Sequence, residues 1–159
     1  MPETEVLLYA AARAQHVKKV IKPNLDAGKV VICDRFVHSS IAYQGFGLGV
    51  DVNSIWQVNS LAMGNTFPDI VFLFDLPVEE ALKRSRERQI GRELSLNSEG
   101  NKQDRIEARS QDFYEKVRSG FLEMANDQRV KVLDATKSPE LIHEDVMAII
   151  WRVLQGGNP

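Results

Sequence analysis

Three short apolar runs, set between segments of helical periodicity, constrain this chain more than any other feature. Lys29-Val30-Val31-Ile32-Cys33-Asp34 and Asp69-Ile70-Val71-Phe72-Leu73-Phe74-Asp75 are continuously apolar between polar ends. Strands buried on both faces of a parallel sheet read this way, because helices cover both sides and no face alternates with solvent. Val130 to Asp134 is a third such run. Between them lie helical patterns. Val6, Ala10, Val17, Val20 and Ile21 fall on one side of a first helix, which Pro23 is expected to limit. A helix near Ile55 to Met63 carries Ile55, Trp56, Val58, Asn59, Leu61 and Ala62; another follows Pro77, with Val78, Ala81 and Leu82 inward. Ile106, Phe113, Val117, Phe121 and Met124 mark a long amphipathic helix, and Ser138 with Pro139 caps a last one. Short buried strands alternating with helices predict an α/β fold, a parallel sheet in three layers flanked by helices. A single domain over 1–159 is expected, since 43% hydrophobic content supplies enough core for one. Gly91 to Gln103 is polar and rich in Ser, Asn and Gly, so it reads as a mobile loop between helices.

Charge and cysteine exclude several classes of function. A net charge of −2 argues against a nucleic-acid binder working through a broad basic face. The single Cys33, in an apolar run, is expected as a small buried hydrophobe in a reducing, cytoplasmic setting. No stretch approaches the length of a bilayer span and no signal-peptide pattern opens the chain, so no membrane partner is expected.

The chemistry concentrates after the first predicted strand. Asp34-Arg35 stands at the carboxyl end of that run, where open α/β sheets place ligands. An Arg there offers a planar fork to phosphate, and the Asp can orient it or meet metal-bound water. On spacing alone an ordinary ion pair at a strand end reads equally well. The Gly-rich connection from Ser39 to Val50 is a second candidate, because loops leaving buried strands gather ligand contacts. Arg84, Arg86, Arg88 and Arg92 form a basic run, either a solvated helix face or a small polyanion site. By the residues alone Tyr9 is a core residue and Arg13 a solvated one, although their spacing of four sets them on one helix face. His38, lone in a loop, reads as a surface residue.

The string Asp34-Arg35-Phe36-Val37-His38-Ser39-Ser40-Ile41-Ala42-Tyr43-Gln44-Gly45 resembles the Asp-Arg-Tyr and Ser-Ser-x-Ala-Tyr-Gln-Gly segments of thymidylate kinases. The likeness extends to Glu3 through Tyr9, Arg13 to His16, Pro68-Asp69, Asp104 to Glu107 and Val132 to Ala135. It implies transfer of the ATP γ-phosphoryl group to dTMP, giving dTDP, with Mg2+ as cofactor. By resemblance Arg35 grips the acceptor monophosphate, and Asp34 organises it and the magnesium, in part through water. Tyr9 stacks on thymine, where the family more often has Phe, and Arg13 meets the base carbonyl edge. Ser39, Ser40, Tyr43 and Gln44 line base and sugar, with Tyr43 crowding the 2′ position. The guanidinium of Arg35 and the ring of Tyr9 are expected to share one cavity. Residues 84–104 align with the family lid, with Arg88 and Arg92 as candidate catalytic cations and Arg84, Arg88, Ala135 and Thr136 beside ATP. A homodimer is implied.

One family element is missing from the string. Gly-x-x-x-x-Gly-Lys-Ser/Thr, whose amides cradle the ATP phosphates, occurs nowhere in the 159 residues. In the family that loop follows a central strand between those matching Val30–Cys33 and Ile70–Asp75. The domain is therefore expected to be N-terminally incomplete, through truncation or because a partner or second copy fills the gap. Two alternatives to the kinase reading follow: a non-catalytic nucleotide-binding remnant or scaffold, and a related deoxynucleoside or nucleotide kinase.

Overall fold

The structure, a computed structural model, describes residues 1–95 and 110–156, with the side chains of 89–95 outside that description. The chain opens with helix α1 (Pro2–His16), a π-helical segment (Val17–Ile21) and α2 (Lys22–Asp26), which run on from one another. Pro23 does not stop this helix as its sequence predicts. The amide of Lys22 donates to Val17 O, a bond five residues back, so the wider turn lies just ahead of the proline ring that would otherwise press on the preceding carbonyl. Val6, Ala10, Val17 and Ile21 face inward, while Val20 is exposed.

α3 (Val37–Ser40) passes into a second π-helical segment (Ile41–Gly47), and α4 (Val52–Met63) follows. Asp51 caps α4: its carboxylate accepts from Ser54 N at 2.8 Å and satisfies a donor the first turn leaves free. β1 (Val71–Asp75) and β2 (Val130–Asp134) pair in parallel, Val71 against Val130 through Asp75 against Asp134. α5 (Val78–Ser95) and α6 (Gln111–Glu123) lie between them in sequence, and α7 (Pro139–Leu154) follows β2. Ser138 caps α7 as its sequence predicts, with Pro139 in the first turn.

Four expectations need correction. Lys29 to Asp34 forms no strand: among the described residues the sheet is β1 and β2 alone, and nothing pairs with 29–34. A strand is completed by its neighbours' amides and carbonyls, and without them an apolar run has only its side chains to bury. Here most of those stay outside, with Ile32 94% exposed and Val30 85%, and only Val31 partly covered. Cys33 is for the same reason exposed rather than buried. His38, expected at the surface, is half-buried with its ring edge-on to Trp56 at 6.3 Å. The supposed loop from Gly91 is helical through Ser95, because strong helix formers around Gly91 outweigh its cost of about 1 kcal/mol. Residues 96–103 of that loop, the Asp104 to Glu107 match and the start of the long amphipathic helix lie outside the described residues.

The core sits among the helices. Val6, Val37, Ile41, Ile55 and Met63 form one buried cluster, and Ala42, Phe113 and Val117 a second, joined through Met124. Two glycines set how closely α6 approaches the 41–47 segment. A Cβ on Gly47 would lie 2.5 Å from the Phe113 ring, and one on Gly120 2.5 Å from Cγ of Phe46, so each glycine seats the other element's phenylalanine. α7 buries no residue fully, and Trp151 and Leu154 are exposed.

Candidate functional site

α1, α3 and the 41–47 segment bring two arginines to adjoining turns. Arg13, half-buried on α1, donates through Nη1 to Asn59 Oδ1, and through Nη2 to Phe36 O at 3.2 Å and Ser40 Oγ at 3.1 Å. Its guanidinium also lies 5.3 Å from the centre of the Phe36 ring. Burial pushes its pKa down and the neighbouring Cys33 pushes it up. With three protein acceptors it is far from the solvated residue its sequence alone suggests. Tyr9, one turn earlier, is exposed rather than part of the core.

Arg35 follows the unpaired run in a left-handed conformation, φ 66°, which costs a side-chain-bearing residue roughly 1–3 kcal/mol. Residues held this way cluster where a side chain must be aimed. Nε of Arg35 donates to Ser39 Oγ at 3.3 Å, and the guanidinium carbon lies 4.6 Å from the Tyr43 ring centre. Among the described residues its Nη groups have no hydrogen-bond partner, so the face of the fork that suits a phosphate stays available. Tyr43 is wedged in turn against Phe113 and Phe121 of α6, each ring centre 6.2 Å away. Asp34, beside Arg35, is exposed.

Ser40 and Gln44 turn into the protein: Ser40 accepts from Arg13, and Gln44 Nε2 donates to Glu5 on α1 at 3.2 Å. Six of the residues singled out in the sequence, Tyr9, Arg13, Arg35, Ser39, Ser40 and Tyr43, are thus linked by contact or by one helical turn. Asn59 escaped notice as a site residue. Its signal was present, since it falls on the buried face of α4, four residues from both Ile55 and Met63.

A second constellation lies at the carboxyl ends of β1 and β2. Leu76, Ala81, Arg84, Glu87 and Arg88 line a cavity of ≈ 590 Å³. Arg84 donates to Ala135 O at 3.1 Å and pairs with Glu80 at 2.9 Å. Thr136 donates its amide and hydroxyl to Asp134, closing a tight turn. The side chain of Arg92 lies outside the described residues. Sequence reading also missed Arg118 of α6, which grips Asp75 with two bonds of 2.8 and 2.9 Å and holds that carboxyl below its ordinary pKa.

The family model for thymidylate kinase matches residues 1–146. The chain belongs to the thymidylate kinase family. It is 44% identical over 156 residues to the thymidylate kinase of Nitratidesulfovibrio vulgaris, covering 97% of this chain and 70% of that protein. Against the thymidylate kinase of Pelotomaculum thermopropionicum the identity is 46% over 156 residues, covering 97% and 67%. Its fold is similar to the crystal structure of thymidylate kinase from Ehrlichia chaffeensis, with a TM-score of 0.67 and 31% identity over 95% of this chain and 65% of that one. The chain thus spans roughly two-thirds of the length of these relatives. Among the described residues no helix is long and apolar enough to cross a membrane.

Proposed function

We propose that these residues form the acceptor side of a thymidylate kinase, which transfers the γ-phosphoryl group of ATP to dTMP and yields dTDP. One observation carries the site assignment: Arg35 is held in a strained backbone conformation, braced by Ser39 and Tyr43, with its Nη fork turned to no protein partner among the described residues. Phosphoryl transfer asks the protein for positioning and for positive charge near the phosphates rather than for covalent chemistry. A fork fixed before the ligand arrives supplies both.

In this reading Arg35 takes the dTMP phosphate, Tyr9 stacks on thymine across a shared cavity, and Arg13 meets the base carbonyl. Tyr43 closes the sugar side. Ser39 braces Arg35, while Ser40 and Gln44 serve the pocket from behind by holding Arg13 and Glu5. The ATP side falls to the second constellation, with Arg84 and Arg88 near the phosphates, Arg92 beyond them in the 84–104 lid, and Ala135 and Thr136 beside adenine. Magnesium supplies charge neutralisation when bound. Among the described residues no three potential ligands gather, so the donor set suits an ion held chiefly by phosphates and water, with Asp34 nearby. The reading includes a three-layer α/β sheet for the whole fold, a homodimer and a cytoplasmic setting.

Calorimetric titration tests the acceptor site. dTMP is expected to bind, and Arg35→Ala to weaken it at least about tenfold, as losing a charge-assisted contact does, while thymidine binding changes little. An unchanged dTMP affinity would remove Arg35 from the phosphate. Thymidine bound as tightly as dTMP would point to a deoxynucleoside kinase instead.

A further inference from the structure

Three polar side chains are buried among the described residues, Ser40, Gln44 and Asn59, and each is bound to, or in line with, a polar group of α1. Burying such groups is costly unless every one is satisfied, so their gathering on one seam asks for a reason. Asn59 is the extreme case, 0% exposed in the middle of α4. Its Nδ2 donates to Ile55 O at 2.8 Å, one turn back on the same helix. That bond fixes which way the amide faces and leaves Oδ1 aimed at Nη1 of Arg13. Ile55, also fully buried, holds this turn of α4 in the main cluster.

We infer that Asn59 is a positioning residue for acceptor recognition, acting through Arg13. The inference rests on the kinase reading above. Asn59 and Phe36 O take hydrogen bonds from the two Nη atoms, and Ser40 takes another from Nη2. The guanidinium plane is thereby fixed over the Phe36 ring before any base enters. A long side chain that must be frozen on binding loses rotamer entropy at that moment; one already frozen does not. Removing Asn59 Oδ1 frees one arm of the fork, and the loss should appear in nucleotide affinity as well as in folding.

A double-mutant cycle separates these. dTMP affinity is measured by calorimetry for the parent protein, Arg13→Ala, Asn59→Leu and the double variant, with thermal melting of each. Leucine keeps the branching and heavy-atom count of asparagine and removes the accepting oxygen, at the cost of a somewhat larger side chain in a fully buried site. Asn59→Leu is expected to weaken dTMP binding about tenfold in the parent and less than about twofold in the Arg13→Ala background, where the bond to Arg13 is already gone. Asn59→Asp keeps an oxygen for Arg13 and is expected to recover most of the affinity; it carries the comparison alone if the leucine variant does not fold. Equal weakening by Asn59→Leu in both backgrounds would overturn the inference, as would an aspartate variant that is folded yet binds as poorly as Arg13→Ala. If the parent binds no dTMP, the kinase reading itself fails and this inference with it. If the parent binds, Arg13→Ala weakens it, and Asn59→Leu is folded but silent, only the positioning role is lost.

Discussion

The helical half of the molecule and its sheet half are built to different standards. Around the 36–47 segment, α1, α4 and α6 bury Val37, Ile41, Ala42 and Ile55 almost completely, and two glycine–phenylalanine contacts fix their spacing. At the sheet, two strands carry the pairing, Phe74 is 53% exposed, the 29–34 run pairs with nothing described, and α7 has no fully buried residue. The residues proposed for the acceptor site, Tyr9, Arg13, Ser39, Ser40 and Tyr43, all stand on the first half. Arg35 is anchored to it through Ser39 and Tyr43, although it directly follows the unpaired 29–34 run. The geometry of the proposed acceptor site therefore depends on helix packing rather than on the sheet.

The largest effect that would break this contrast is in the helical core. Ile55→Ala removes a fully buried side chain and is expected to cost about 2–5 kcal/mol of stability, measured by denaturant unfolding. A loss under about 1 kcal/mol would show that this core is no better packed than the sheet.

Arg118 ties the two halves, reaching from α6 to Asp75 at the end of β1. Arg118→Met is expected to cost about 1 kcal/mol at neutral pH, since the pair is partly exposed and screened. The sign of its pH dependence follows from Asp75, whose folded pKa lies below its unfolded value of about 4. Such a carboxylate stabilises the fold above that value and loses the contribution as pH falls through the folded pKa. The stability difference between parent and variant should therefore shrink on acidification below about pH 4. A difference that persists unchanged at lower pH would place the bond's worth in packing rather than charge.

The smallest effect sharpens the contrast from the other side. Ile32→Ala, at an exposed position in the unpaired run, is expected to change stability by less than about 0.5 kcal/mol. A cost comparable to that of Ile55→Ala would mean that 29–34 is buried in solution.

What the sequence made legible was local. Ser138-Pro139 announces a capped helix because cap and first turn are neighbours in the chain, and the runs that become β1 and β2 are dense enough in β-formers to stand out. The 29–34 run has the same composition, but pairing is decided by what lies beside a strand, and composition cannot show that. The π-helical turns left no trace in the apolar period. At the site, the Tyr9 and Arg13 spacing and the Asp34-Arg35 pair were visible, and the family resemblance gave them a setting. Arg13's bond to Asn59 was not, because the partner lies 46 residues away. Asp75 and Arg118 are 43 apart and escaped for the same reason.

Hydrogen exchange followed by mass spectrometry, with and without dTMP, tests the central claim most directly. Slow exchange is predicted in α4 and the 41–47 segment, fast exchange in 29–34, and added protection from dTMP in α1 and residues 36–47. Protection by dTMP confined to β1, β2 and the 135–139 turn, or exchange in 29–34 as slow as in α4, would contradict it.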